Sequence, residues 1–260
     1  MILLPILCYH EIGGHDAARG QRRSVVPLEL FVEQMAYLRR AGYRCVTLGE
    51  ARNYLQGERR RRRVVVLTFD DGTADFYGQA YPVLKQHGFS ATVFVVAQAV
   101  GGISRWSGSS GAPLMSWREI QELARQGIEI GSHALTHSSV TRLPLDIARE
   151  EVRKSRRIIQ GRLGTAVHSF CYPYGDFDPQ VEMLVTEAGY NLACSTVRGN
   201  LHTRKDLFHL KRILVNRFTS IARLRRRLSP LYDLRCRLHR LRSKTSGHSA
   251  EVDHGGRNAP

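Results

Sequence analysis

Val64-Val65-Val66-Leu67-Thr68-Phe69-Asp70-Asp71-Gly72 is the stretch on which the fold turns. Its first six residues are apolar or β-branched without a break. That is the length of a strand, and the lack of polar alternation marks one buried on both faces, as in parallel sheets covered by helices. Two carboxylates follow at once. A buried strand that delivers adjacent acids at its carboxyl end needs a reason, because like charges placed together out of water are costly.

Outward from this strand, short apolar runs alternate with segments of helical period. Strands are predicted at 2–8, 44–48, 91–97, 128–131, 167–171 and 191–195, with helices at 27–41, from 48 to about 56, and at 76–87, 117–126, 145–163 and 179–188. In 27–41, Pro27 opens the helix, Leu30, Phe31, Met35 and Leu38 share a face, and Gly42 closes it. Ser116 is the predicted N-cap of the 117–126 helix, and Asp75 that of the helix beginning at Phe76. The repeating βα pattern predicts an α/β fold with about seven strands in a largely parallel sheet. Residues 98–113, rich in Gly and Ser, read as a long loop and candidate lid.

The polar residues fall at strand ends. Besides Asp70-Asp71-Gly72, strand 128–131 leads into Ser132-His133 and, four residues on, His137; strand 167–171 leads into Tyr172-Pro173-Tyr174-Gly175-Asp176; strand 2–8 leads into Tyr9-His10. In a βα barrel the carboxyl ends of all strands open onto one face, where active sites are built. Two His four apart can turn both imidazoles to one ion, and a carboxylate from a neighbouring strand completes three ligands with a position left for water. Asp71, His133 and His137 are the candidate ligands, and the donor set suits zinc, with cobalt, nickel or iron as alternatives. Asp70 is then free to act as base on the ion's water.

These residues resemble the polysaccharide deacetylase family, the NodB-homology or carbohydrate esterase family 4 proteins, over about residues 6–215. The first family motif reads here Thr68-Phe69-Asp70-Asp71-Gly72 and the second His133-Ala134-Leu135-Thr136-His137. The resemblance implies a distorted (β/α)7 barrel, Asp70 as general base, Asp71, His133 and His137 as metal ligands, and hydrolysis of N-acetyl groups on an amino-sugar polysaccharide. The third motif, usually Arg-x-Pro-Tyr, appears as Cys171-Tyr172-Pro173-Tyr174, so Cys171 stands where many members place an arginine beside the base. By the same resemblance the Tyr174 N–H is the oxyanion donor, and Tyr172 and Pro173 border the substrate. The Tyr-Pro-Tyr-Gly form is similar to the subgroup acting on poly-N-acetylglucosamine-type exopolysaccharides, in which the catalytic acid is a Tyr-His near the N-terminus; here that is His10. The fourth motif is replaced by Ala193-Cys194-Ser195-Thr196 with Gly199-Asn200. Another N- or O-acyl group, or a small amide, on the same metal site is the alternative substrate.

The chain has 260 residues, enough for one barrel, and 42 % hydrophobic residues, ordinary for a globular protein. Its charge is not ordinary: 39 Lys and Arg against 23 Asp and Glu, a formal net of +16. Such an excess predicts an anionic partner. It gathers in the run 59–63 and beyond residue 203, where Arg and Leu interleave over 221–228 and 231–241, split by Pro230. That interleaving suits a helical extension on an anionic membrane surface, and a non-catalytic membrane- or polyanion-binding module is the rival reading. No nucleic-acid motif accompanies the charge. The expected organisation is a catalytic barrel over 1–218, a basic amphipathic helical extension over 219–242 and a disordered tail over 243–260. Five cysteines without CxxC spacing argue against a thiolate zinc site. The apolar N-terminus lacks the basic start and cleavage site of a signal peptide, which predicts a cytoplasmic or inner-membrane-face location.

Overall fold

Seven parallel strands close on themselves around a buried interior. In the computed structural model, which describes residues 1–13, 24–57, 63–106, 109, 111–236 and 238, these are β1 (Ile6–Tyr9), β2 (Val64–Phe69), β3 (Thr92–Val95), β4 (Glu129–Ser132), β5 (Ser169–Cys171), β6 (Leu192–Arg198) and β7 (Leu210–Leu214). Each pairs with the next, and β7 returns to β1, so the barrel leaves no open edge among these strands. The predicted (β/α)7 architecture is present. Arginines 59–62, the end of the 231–241 helix and the 243–260 tail lie outside the described residues.

The membership of the seven differs from the sequence reading. Arg44–Val46 is a strand, but it stands outside the ring. It pairs with Val64–Val66, on the edge of β2 whose upper half, Thr68 and Phe69, pairs with β3. Its place in the ring is taken by β7, Leu210-Lys211-Arg212-Ile213-Leu214. Two cations in five residues hid this strand from a reading based on apolar runs. The reason one of them is tolerated appears at the active site.

Side chains alternate across each strand, and the alternation sorts the core into two layers. Leu7 and Tyr9 of β1, Val65, Leu67 and Phe69 of β2, and Phe170 of β5 face the helices. Ile6, Val64, Val66, Phe94, Cys171, Leu192, Cys194 and Leu210 fill the barrel itself. Counting on in twos, Ile6 leads to Cys8 and His10, Val66 to Thr68 and Asp70, Leu210 to Arg212. The barrel's apolar plug therefore rises directly into its polar mouth. Gly131 is required in this interior, since a Cβ there would lie 2.5 Å from the Phe94 ring.

The helices form where their signals predicted. Leu28–Arg40 buries Phe31, Met35 and Leu38. Ser116 caps Trp117–Arg125 in a reciprocal box with Glu119. The sequence expectation for Asp75 is corrected: it makes no cap hydrogen bond. Its Oδ2 accepts instead from the Ile12 backbone N–H, tying the chain after β1 to the turn after β2. Burial, with Glu11 nearby, pushes the Asp75 carboxyl up to about 6. A raised acid binds a proton more tightly folded than unfolded, so stability from this group is present at pH 4 and lost as pH rises through 6. Two pK units correspond to about 3 kcal/mol. Asp75→Asn keeps the acceptor without the charge; the stability of the wild type relative to this variant should fall between pH 4.5 and 7 in denaturant titrations. A constant difference across that range would refute the assignment.

Candidate active site

Two imidazoles and a carboxylate converge at the mouth of the barrel. His133 follows β4, and its Nδ1 lies 2.8 Å from the Cys171 carbonyl oxygen. That contact is a hydrogen bond only with the proton on Nδ1, which leaves a lone pair on Nε2. Burial, reinforced by His137, brings His133 down to about 4, so the ring is neutral at pH 7. Its Nε2 faces Asp71 Oδ1 at 3.6 Å, and His137 Nε2 lies 3.4 Å from the same oxygen. An acceptor lone pair aimed at a carboxylate oxygen is repulsive unless a cation lies between them. Ligands about 2.0–2.1 Å from a tetrahedral zinc are about 3.3 Å apart, close to the separations seen. Asp71, His133 and His137 thus fit a divalent ion, and they are one of three candidate ligand groups among the described residues.

The backbone at these positions is strained. Asp71 (φ 72°), His137 (φ 68°) and Tyr174 (φ 60°) all adopt left-handed conformations without being glycine. Each costs on the order of 1–3 kcal/mol, and such residues concentrate where function fixes side-chain direction.

Asp70, buried beside the ligand set, is gripped by a residue that sequence reading missed. Arg212 of β7 donates from Nη1 to Asp70 Oδ1 at 2.7 Å and from Nη2 to Oδ2 at 2.8 Å, a bidentate pair with both side chains almost wholly out of water. Its Nε donates to the Ser195 carbonyl, and Nη2 also meets Cys171 Sγ at 3.2 Å. Burial alone would raise the Asp70 carboxyl; the Arg212 guanidinium outweighs it and holds the group well below the usual carboxylate range. The motif arginine missing at Cys171 is therefore supplied from another strand. Cys171 is the small neighbour that leaves it room, and burial keeps the Cys171 and Cys8 thiols protonated beside the carboxylate. The signal in the sequence was a Lys-Arg pair within a short run of Leu and Ile, Leu210-Lys211-Arg212-Ile213-Leu214.

The other predicted residues divide. His10 Nε2 lies 4.0 Å from Asp70 Oδ2, with its ring partly exposed at the mouth. Tyr174 sits on a tight turn with its ring edge-on to His137, 4.8 Å between centroids. Tyr172 and Pro173 are both buried, and the Tyr172 hydroxyl donates to the Phe208 carbonyl at 2.8 Å. They lead into the turn that carries Tyr174. The 98–113 segment is braced across its width, Ser104 N–H to the Ala112 carbonyl and Leu114 N–H to that of Gly102. From it Trp106 stacks on His137, with centroids 4.5 Å apart and planes at 17°.

The polysaccharide deacetylase family pattern matches residues 57–193. YxkH of Bacillus subtilis (strain 168) is 28 % identical over 214 residues, 82 % of this chain and 71 % of that protein. The poly-beta-1,6-N-acetyl-D-glucosamine N-deacetylase of Escherichia coli (strain K12) is 24 % identical over 80 % of this chain, which spans only 36 % of that enzyme. Among solved structures, IcaB from Ammonifex degensii superposes with a TM-score of 0.74 at 27 % identity, covering 88 % of this chain and 97 % of that one. The Streptococcus pyogenes deacetylase PplD, solved with acetate, shares the fold with a TM-score of 0.79, covering 88 % and 99 %.

Two outcomes test this geometry. Arg212→Met strands a buried carboxylate and should cost roughly 3–5 kcal/mol in denaturant unfolding; Asp70→Asn/Arg212→Met should recover much of that loss, and a double variant no more stable than the single one contradicts the pairing. Calorimetric titration of chelator-treated protein with zinc should show one site per chain. His137→Ala should weaken it by more than the roughly 10–100-fold that loss of a supporting hydrogen bond costs. The barrel, the two motifs and the 57–193 match agree: this chain belongs to the polysaccharide deacetylase family.

Proposed function

We propose that the chain is a metal-dependent deacetylase that hydrolyses the N-acetyl groups of an N-acetylglucosamine-type polysaccharide. The observation that carries this reading is the convergence of Asp71 Oδ1 with the Nε2 atoms of His133 and His137, beside a second carboxylate fixed by Arg212. The substrate class rests on the names of relatives such as the Escherichia coli enzyme.

A divalent ion in this site, zinc by its donor set, supplies Lewis acidity and brings the pKa of water to ~7. Asp70 accepts the proton of the attacking water. Its pairing with Arg212 makes it a weak base, but one that is always ionised and fixed in direction. Its Oδ2 lies 4.0 Å from His10 Nε2. As the acetyl carbon becomes tetrahedral, the Tyr174 backbone N–H donates to the developing oxyanion. His10, across from Asp70, gives a proton to the departing sugar amine, and acetate leaves. Tyr174 and Trp106 wall this space with aromatic surface on either side of His137.

Acetate release from poly-N-acetylglucosamine oligomers by zinc-loaded protein tests the proposal. Asp70→Asn should retain zinc yet lose activity by about 100-fold or more, the lower bound for a general base. Full activity in that variant would sink the role of Asp70. Faster hydrolysis of acetylated xylan or small amides would transfer the same chemistry to another substrate.

A further inference from the structure

We propose that the C-terminal extension is a docking face for an anionic lipid bilayer surface. The inference is independent of the deacetylase reading and rests on how residues 217–238 are divided between the barrel and solvent. After the helix Ile221–Arg227, Pro230 resets the chain and residues 231–236 are helical again. At 100° per residue, Leu231, Leu234 and Leu238 fall within an arc of about 60°, with Arg235 at its flank. Asp233 and Cys236 lie on the opposite side.

The structure uses the two sides differently. Asp233 is fully buried, and its Oδ1 accepts from the Leu201 N–H and from Lys211 Nζ, each at 3.4 Å. It anchors the segment to the barrel. Leu231, Leu234 and Leu238 are 61, 53 and 47 % exposed. In Ile221–Arg227 the buried residue is Leu224, while Arg223, Arg225 and Arg226 are exposed. Phe218, just before it, is 57 % exposed. Among the described residues no ion pair engages Arg225, Arg226 or Arg235. The single acid of the segment is thus turned inward, and the exposed residues are Phe218, Leu231, Leu234 and Leu238 with Arg223, Arg225, Arg226 and Arg235, interspersed with the small residues Ser220, Ala222 and Pro230.

Charge chooses the occupant. A second copy would bring the same unneutralised arginines against each other. A soluble polyanion would satisfy the arginines and leave the leucine ridge in water. An anionic bilayer satisfies both, headgroups pairing with the arginines while leucines enter the interface. No helix among the described residues is long and apolar enough to cross a membrane.

Co-sedimentation of the full-length protein with phosphatidylcholine vesicles, with and without phosphatidylglycerol, tests this. Binding should be at least roughly tenfold tighter to the anionic vesicles and weaken with salt. Leu231→Ser/Leu234→Ser/Leu238→Ser should reduce it about tenfold or more, and Arg225→Glu/Arg226→Glu should do so separately, with unfolding midpoint and acetate release unchanged in both. No preference for anionic vesicles overturns the proposal. So does binding that the leucine variant leaves intact and heparin competes away, which marks a polyanion site. Leucine-dependent dimerisation in sedimentation equilibrium, without vesicle binding, overturns it in favour of a second copy.

Discussion

A carboxylate and a guanidinium share the floor of the barrel mouth, both out of water, and the rest of the site is arranged around keeping them paired. Removing two charges from water costs several kcal/mol each, and only close bidentate geometry with further hydrogen bonds offsets it. Arg212 meets those terms: two bonds to Asp70, one to the Ser195 carbonyl and a contact with the Cys171 thiol. The pair joins β2 to β7 across the ring that β1 closes. It therefore ties the position of Asp70 to closure of the barrel itself.

That constraint explains an otherwise odd set of neighbours. The interior residues around Asp70 are Cys8, Thr68, Cys171 and Cys194, all small. A long side chain at any of them would compete with the guanidinium for space in an interior packed at crystal-like density. The apolar plug below, Ile6, Val66, Phe94 and Leu210, keeps water from the pair on one side. On the other, His133 is locked by the Cys171 carbonyl so that its free nitrogen points at Asp71. One backbone carbonyl on β5 thus sets the tautomer of His133, while the side chain of the same residue makes room for the arginine that holds Asp70.

Rigidity in this mouth is concentrated where direction matters. Asp71, His137 and Tyr174 are all held left-handed, and the His137 ring is stacked by Trp106 and meets the Tyr174 ring in a T-shaped contact. Strain of this kind persists only when surrounding structure over-determines the backbone. Here the closed barrel beneath and the braced 98–113 segment above supply that determination. The basic extension is fastened to the barrel by Asp233, and by Arg227, whose Nη1 donates to the Leu214 carbonyl of β7.

The sequence by itself determined the fold class and most of the polar mouth. Continuous β-branched runs can only be buried strands, and Asp70, Asp71, His133, His137 and His10 follow such strands within a few residues, so their common rim was readable from local pattern. Tertiary structure decided what local pattern cannot encode. Whether Arg44–Val46 or Leu210–Leu214 joins the ring is a matter of pairing between segments far apart in the chain: the first meets β2 alone, while the second bridges β6 and β1. The partner of Asp70 is 142 residues away, and a cation in a short strand reads as surface until its carboxylate is seen opposite it. Tyr172 reads as a rim residue from its motif, yet period-two alternation and the Phe208 carbonyl turn it into the core. Local periodicity fixes which elements form, while only closure of the barrel fixes which distant charges meet inside it.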